Sequence, residues 1–294
     1  MGKNLNTAVF SGLVLPVFLA GTSLASAEAL DWSRDSWRLL GGSMTLFLAT
    51  AWSLSLLGGH RLAWRFMAAA FLISWLVETL GLESGWPFGC VYRYHGDVQP
   101  VLPGGVPLFI PMAWTVLSGT VVMLLGGLGI SRPDGRRSAA RVAAKSALAA
   151  AGVVACDLAL DPIAVSVGLW TWRTPGPYYG IPLLNFAGWF AIAWAIFLVG
   201  FGAIGFDRQK REGVPIRYDL ARGVAHGLLL LLVADTAIRR VGSPWPAIWA
   251  IVAMAPLTAI WLRELRWKIL VYRDWRLASA SAPCVRLTGD EGGG

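Results

Sequence analysis

The sequence predicts an all-α protein, a polytopic integral membrane bundle of seven or eight transmembrane helices. Three observations carry that prediction. Of 294 residues, 56% are hydrophobic and only 14% charged, with a mean hydropathy of +0.58; a soluble domain carries about a quarter charged residues. The apolar runs are long enough for helices to cross a hydrocarbon core of about 30 Å, and none shows the short alternating segments of a membrane barrel. The Lys and Arg residues cluster in short loops, on every second loop, as the positive-inside rule requires. A net charge of +8 and a pI near 9.9 therefore reflect membrane topology, and no nucleic-acid partner is expected.

Residues 1–27 hold Lys3, an apolar stretch and then Ala25-Ser26-Ala27. They read equally as a cleavable signal or as a first span; both place Glu28 outside. Residues 37–57 and 62–82 form the next two spans, joined by a tight loop with His60, Arg61 and Arg65. A cation-poor loop, 83–105, leads to a span over 106–130, closed by Arg132, Arg136, Arg137, Arg141 and Lys145. Residues 142–165 return outward, and a second outer loop carries only Arg173. The span over 182–206 ends at Arg208, Lys210, Arg211, Arg217 and Arg222. Residues 223–238 and 244–262 form the last pair, with Arg239 and Arg240 between them on the outer side, snorkelling or pairing with an acid. The cations place both termini in the cytoplasm of a bacterial or archaeal cell. Residues 28–270 are expected to be one membrane-embedded domain, and 271–294 a cytoplasmic tail with a polar, disordered end.

Two stretches, 78–114 and 157–189, are near-repeats. Eleven residues after Glu78 comes Gly89, and eleven after Asp157 comes Gly168. Alternating aromatics follow, Tyr92 and Tyr94 in one copy, Trp170 and Trp172 in the other. Each copy then has a turn, Gly105-Val-Pro-Leu or Gly180-Ile-Pro-Leu, and a Trp nine residues after that Gly, Trp114 or Trp189. Both hairpins run out and back in the same sense, so the repeat is parallel. The Pro suits the first turn of the returning helix, where a missing N–H costs nothing.

Asp157 and Asp161 are one helical turn apart and share a face. Counted from the cytoplasmic cations, Glu78 lies about 20 Å beyond Arg65, Asp157 about 18 Å beyond Lys145, and Asp235 about 20 Å beyond Arg222. Acids at one depth are costly toward lipid, so they are expected to converge on a shared pocket rather than serve as isolated interhelical hydrogen bonds. A carboxyl group enclosed by hydrocarbon holds its proton, and a second one nearby reinforces this. Such a pair offers a general acid beside a base. Aromatic faces stabilise a cation formed before them. Acid, base and aromatic wall together suit protonation of a carbon–carbon double bond in a lipid-soluble substrate. Asp157 or Asp161 is the expected acid, with the other or Glu78 holding water. Tyr92, Tyr94, Trp170, Trp172, Tyr178 and Tyr179 form the expected wall, and Trp114, Asn185, Trp189 and Asp235 complete the substrate-binding set.

Other chemistries lack their residues. There is no HExxH, CxxC, Walker loop or GxSxG elbow. His60, His95 and His226 are scattered, and Cys90, Cys156 and Cys284 show no metal or disulfide spacing. No lysine lies mid-span to hold a retinal.

The motifs Glu78-x-x-Gly81, Gly85-Trp-Pro-Phe-Gly89-x-x-Tyr92-x-Tyr94 and Gly105-Val-Pro-Leu-x-Ile-Pro-x-Ala-Trp114 resemble the membrane carotenoid hydratases. So do Asp157-Leu-x-Leu-Asp161-Pro, Trp170-x-Trp172 and Tyr178-Tyr-Gly-Ile-Pro-Leu-x-Asn185-Phe-x-Gly-Trp189. The resemblance runs from about Leu40 to Leu262. It implies addition of water to the terminal double bond of an acyclic carotenoid end group of lycopene, γ-carotene or C50 type, without a cofactor. It also leaves room for association with other carotenoid enzymes. Cys90 and His95 stand where the family pattern fixes no residue, which bears on fine specificity. The competing expectations are a cyclase or isomerase using the same cation, and a proton-coupled transporter or lipid-binding membrane protein.

Overall fold

A computed structural model describes residues 32–125, 138–205 and 216–281. The expected signal or first span at 1–27 lies outside the described residues, as do Arg132, Arg136, Arg137, Arg208, Lys210, Arg211, Cys284 and the terminal polar segment. The described residues form seven α-helices: α1 (Trp32–Gly58), α2 (His60–Ser84), α3 (Phe109–Leu124), α4 (Ala139–Ser166), α5 (Leu183–Phe197), α6 (Ile216–Val241) and α7 (Trp245–Ser281). A π-helical segment, Leu198–Ile204, continues α5. Segments Asp35–Gly58, His60–Ser84, Ala139–Ser166, Leu183–Ile204 and Trp245–Val271 are long and apolar enough to cross a membrane. The chain is thus an all-helical protein of membrane type, apart from one small ribbon.

That ribbon is not legible as strand in the sequence. Strands β1 (Tyr92–Tyr94) and β2 (Trp170–Trp172) pair antiparallel, Tyr92 opposite Trp172 and Tyr94 opposite Trp170. The two outer loops therefore join each other. Alternation puts the outer pair of each three-residue strand on one face.

Local chemistry sets the helix ends. Gly85 caps α2 in the left-handed region, φ +77°, and its N–H donates to the Gly81 carbonyl at 2.9 Å. Pro182 stands at the N-cap of α5 with φ −62° and ψ 135°, one residue earlier than the helical position expected for it. Pro162 lies inside α4. It has no N–H for the Leu158 carbonyl, and the Tyr178 hydroxyl donates to that oxygen instead, at 2.8 Å. Helix α7 runs unbroken past residue 271 to Ser281, so the first part of the expected tail is helical. Lys145, counted as a loop cation, is buried in α4 with its Nζ 4.8 Å from the Phe201 ring centre.

Helices α1, α2 and α3 pack together, and α4 packs against α5, α6 and α7. Helix α3 meets α4 between the groups. It is short, and nearly all its side chains are buried, which makes it a core helix. The ribbon and a stacked indole pair, Trp114 with Trp189, tie the groups together on one side.

Candidate active site

Where the two groups meet, they enclose a cavity of about 190 Å³. Its polar lining comes from few side chains. Helix α2 supplies Glu78, α4 supplies Asp157 and Asp161, and α5 supplies Asn185. The i, i+4 spacing on α4 aims both aspartates the same way, and both are essentially inaccessible.

The acids fall into two settings. Glu78 is encircled by donors. The Tyr92 hydroxyl donates to its Oε2, the Tyr94 hydroxyl donates to the same oxygen at 2.7 Å, and Trp114 Nε1 donates to Oε1 at 2.8 Å. An indole N–H can only donate. All three donors come from the first stretch. The aspartates have a single amide between them: Asn185 Nδ2 donates to Asp161 Oδ2, and lies 3.4 Å from Asp157 Oδ2. Asp157 Oδ1 and the buried Trp172 Nε1 have no hydrogen-bond partner among the described residues. Buried polar atoms left this way cost about 1–3 kcal/mol each and mark places worth explaining by function.

An aromatic wall surrounds these groups. Trp114 and Trp189 stack at 4.0 Å between ring centres, tilted by 22°. Tyr92 lies 4.9 Å from Trp172 and 5.6 Å from Tyr94, and Tyr94 lies 6.0 Å from Trp170. The Tyr92 and Tyr94 phenols are held well above the usual tyrosine range, first by burial and then by the Glu78 charge. They keep their protons and remain donors. Phe88 meets Tyr92 edge to face at 5.6 Å. Sequence reasoning missed Phe88, although it stands inside the Gly85–Gly89 motif. It is admitted by Gly81 and Gly188: a Cβ on Gly81 would lie 2.6 Å from its ring, and one on Gly188 would lie 2.8 Å from the Pro87 carbonyl oxygen. The apolar liners Phe109, Leu117 and Ile163 were also unforeseen, since nothing distinguishes them from other core residues.

Ten expected site residues thus share one cavity: Glu78, Tyr92, Tyr94, Trp114, Asp157, Asp161, Trp170, Trp172, Asn185 and Trp189. Three expectations are corrected. Asp235 does not join the pocket. Both its oxygens accept from Arg239 Nε at 2.9 Å, and its side chain is 45% exposed. The acid expected as a partner for the outer arginines is thus Asp235 itself, paired with Arg239 one helical turn away. Tyr178 does not wall the cavity; it repairs the carbonyl freed by Pro162 and packs on Phe186. Burial, then Tyr179, pushes its phenol up to about 12. Tyr179 is exposed, and its hydroxyl pairs with Ser243 Oγ at 2.8 Å.

Among the described residues, no group of three or more His, Cys, Asp or Glu side chains could hold a metal ion. Cys90 and Cys156 are free thiols.

Fold and site together define a helical membrane protein with acids and aromatics enclosed between two helix groups. The family model described as "Carotenoid biosynthesis protein" matches residues 37–257. Bisanhydrobacterioruberin hydratase of Haloarcula japonica is 33% identical to the chain over 210 residues, covering 68% of this chain and 67% of that relative. No solved structure matches. The chain belongs to the carotenoid biosynthesis family, of the carotenoid hydratase type.

Proposed function

We propose that the protein is a cofactor-independent carotenoid hydratase, a hydro-lyase acting on the terminal double bond of an acyclic end group. The observation that carries this reading is the Asp157–Asp161 pair, bridged by Asn185 and facing aromatic rings in a mainly apolar cavity. Two carboxyls so placed share one proton. The pair gives that proton to the less substituted alkene carbon, and the π electrons form the new C–H bond. The tertiary cation left on the neighbouring carbon faces Trp172, Tyr92 and the Trp114–Trp189 stack. A water oxygen bonds to the cation and loses a proton to the carboxylate pair, which restores the acid. Glu78, which already accepts from three donors, orients the wall.

The same reading makes residues 28–270 one catalytic domain in a seven- or eight-span bundle with both termini cytoplasmic. Stacking of Trp114 on Trp189 brings like positions of the two stretches face to face, and β1 pairs with β2 about their like central residues, Arg93 and Thr171. This supports descent from a repeated hairpin. Substrates are lycopene-, γ-carotene- or C50-type carotenoids.

Expression in lycopene-producing cells, with mass spectrometry of the pigments, tests the function. A gain of one water per end group is expected. In heavy water, deuterium should appear on the carbon beside the new alcohol. A product of unchanged mass would make the protein a cyclase or isomerase. Unaltered lycopene beside correctly inserted protein would favour transport or binding.

A further inference from the structure

The cavity is too small for the molecule the proposed reaction needs. At about 10–15 Å³ of such cavity space for each water-sized group, 190 Å³ takes on the order of fifteen groups. That is a branched end group with its double bond and the first part of a chain. A chain of some forty carbons must leave most of its length elsewhere.

The lining shows where. Its polar members, Glu78, Asp157, Asp161 and Asn185, are buried. Besides Tyr94 and Trp170 of the ribbon, the lining residues that are only half-buried are Leu39 of α1, Ala113 of α3, Leu160 and Ile163 of α4, and Val167 at the C-cap of α4. These last five are aliphatic. Leu160, Ile163 and Val167 recur at helical spacing, so they form one strip along α4. Around them, α1 and α4 are helices of membrane-spanning length and hydropathy. An opening edged this way meets lipid tails, not water.

Resting on the hydratase reading, we propose that α1 and α4 frame a lateral port over α3, through which a long acyclic polyene inserts its end group while the rest of the chain lies in the bilayer. Leu39, Ile163 and Val167 are its edge. An extended hydrocarbon crosses this gap without losing any hydrogen bond, and its tail keeps the surroundings it had in the membrane. The port orients the end group toward Asp157 and Asp161 and excludes polar substrates.

The test uses the full chain in liposomes, with Cys90, Cys156 and Cys284 replaced by Ala, and single Leu39→Cys, Val167→Cys or Leu76→Cys changes. Leu76 is exposed on α2 and does not line the cavity. A membrane-soluble maleimide is applied with and without a C40 acyclic polyene. The polyene should slow labelling at positions 39 and 167, but not at 76. Ile163→Trp should slow turnover of the C40 polyene by at least about tenfold, or about 1.4 kcal/mol. It should slow a ten-carbon alkene with the same end group by a clearly smaller factor. Product formation without protection at 39 and 167 overturns the port but leaves the hydratase reading standing. Equal slowing of both substrates by Ile163→Trp also overturns it. Protection without a gain of water supports the port and removes the hydratase reading.

Discussion

The two like stretches of the chain treat their acids differently. In residues 78–114 one carboxyl receives three donors, all from its own stretch. In residues 157–189 two carboxyls share one amide, and Asp157 Oδ1 and Trp172 Nε1 have no hydrogen-bond partner among the described residues. Similar sequence has thus produced one filled site and one underfilled site against the same cavity. A satisfied network holds geometry, whereas an unsatisfied one retains the capacity to react. On the proposed hydratase reading, the first stretch gives support and the second carries the chemistry.

The sharpest way to break that comparison is to remove the proton. Asp157→Asn and Asp161→Asn keep shape but cannot act as an acid. Each should lower hydration by about 10²–10⁴-fold, with insertion into the membrane unchanged. Near-normal turnover in lycopene-producing cells would return these aspartates to a structural role.

Next comes the wall. Trp172→Leu removes an aromatic face worth about 2 kcal/mol to a desolvated cation, roughly thirtyfold in rate. Trp172→Phe keeps a face and should lose less. Equal losses in the pigment assay would show that the ring does not meet the cation.

The filled site should respond mainly in stability. Glu78→Gln sets an amide among three donors and should cost about 1–3 kcal/mol, read as a lower thermal midpoint in detergent. Its rate loss should be smaller than that of either aspartate variant. A loss equal to theirs would place the acid at Glu78 and reverse the assignment.

Tyr178→Phe isolates a residue of the second stretch that lies outside the cavity. It leaves the Leu158 carbonyl unpaired beside Pro162, at a cost of about 1–2 kcal/mol, with turnover otherwise kept. A rate loss without loss of stability would restore Tyr178 to the site.

The smallest effect is on pH dependence. Tyr92, Tyr94 and Tyr178 have raised phenol values, so folding favours their neutral forms. Their stabilising contribution is complete below about pH 10, the unfolded value, and falls as pH rises above it. An ultraviolet titration should show fewer than the six tyrosines ionising near pH 10, with the remainder appearing only as the protein unfolds. Full ionisation of the folded protein near pH 10 would mean that the Glu78 cluster is open to water.

The residues themselves determine a good part of this molecule. Apolar length sets the helices, because a hydrocarbon solvent leaves the backbone no other partner. Helical spacing puts Asp157 and Asp161 on one face, and rise per residue brings Glu78 to their depth, since both follow from local geometry alone. Tyr92 with Tyr94, and Trp170 with Trp172, are marked as pairs by their alternation. Tertiary structure decided the rest. Rise gives depth but not the direction a helix face takes in a bundle, so Asp235 matched the level and turned to Arg239 instead. Each three-residue strand is too short to announce itself and exists only because the other stretch supplies its partner. Tyr178 looked like a pocket aromatic until Pro162, sixteen residues earlier, exposed a carbonyl that its hydroxyl could reach. The ribbon and the Tyr178 hydrogen bond join residues far apart in the chain, and only the packed fold brings those together.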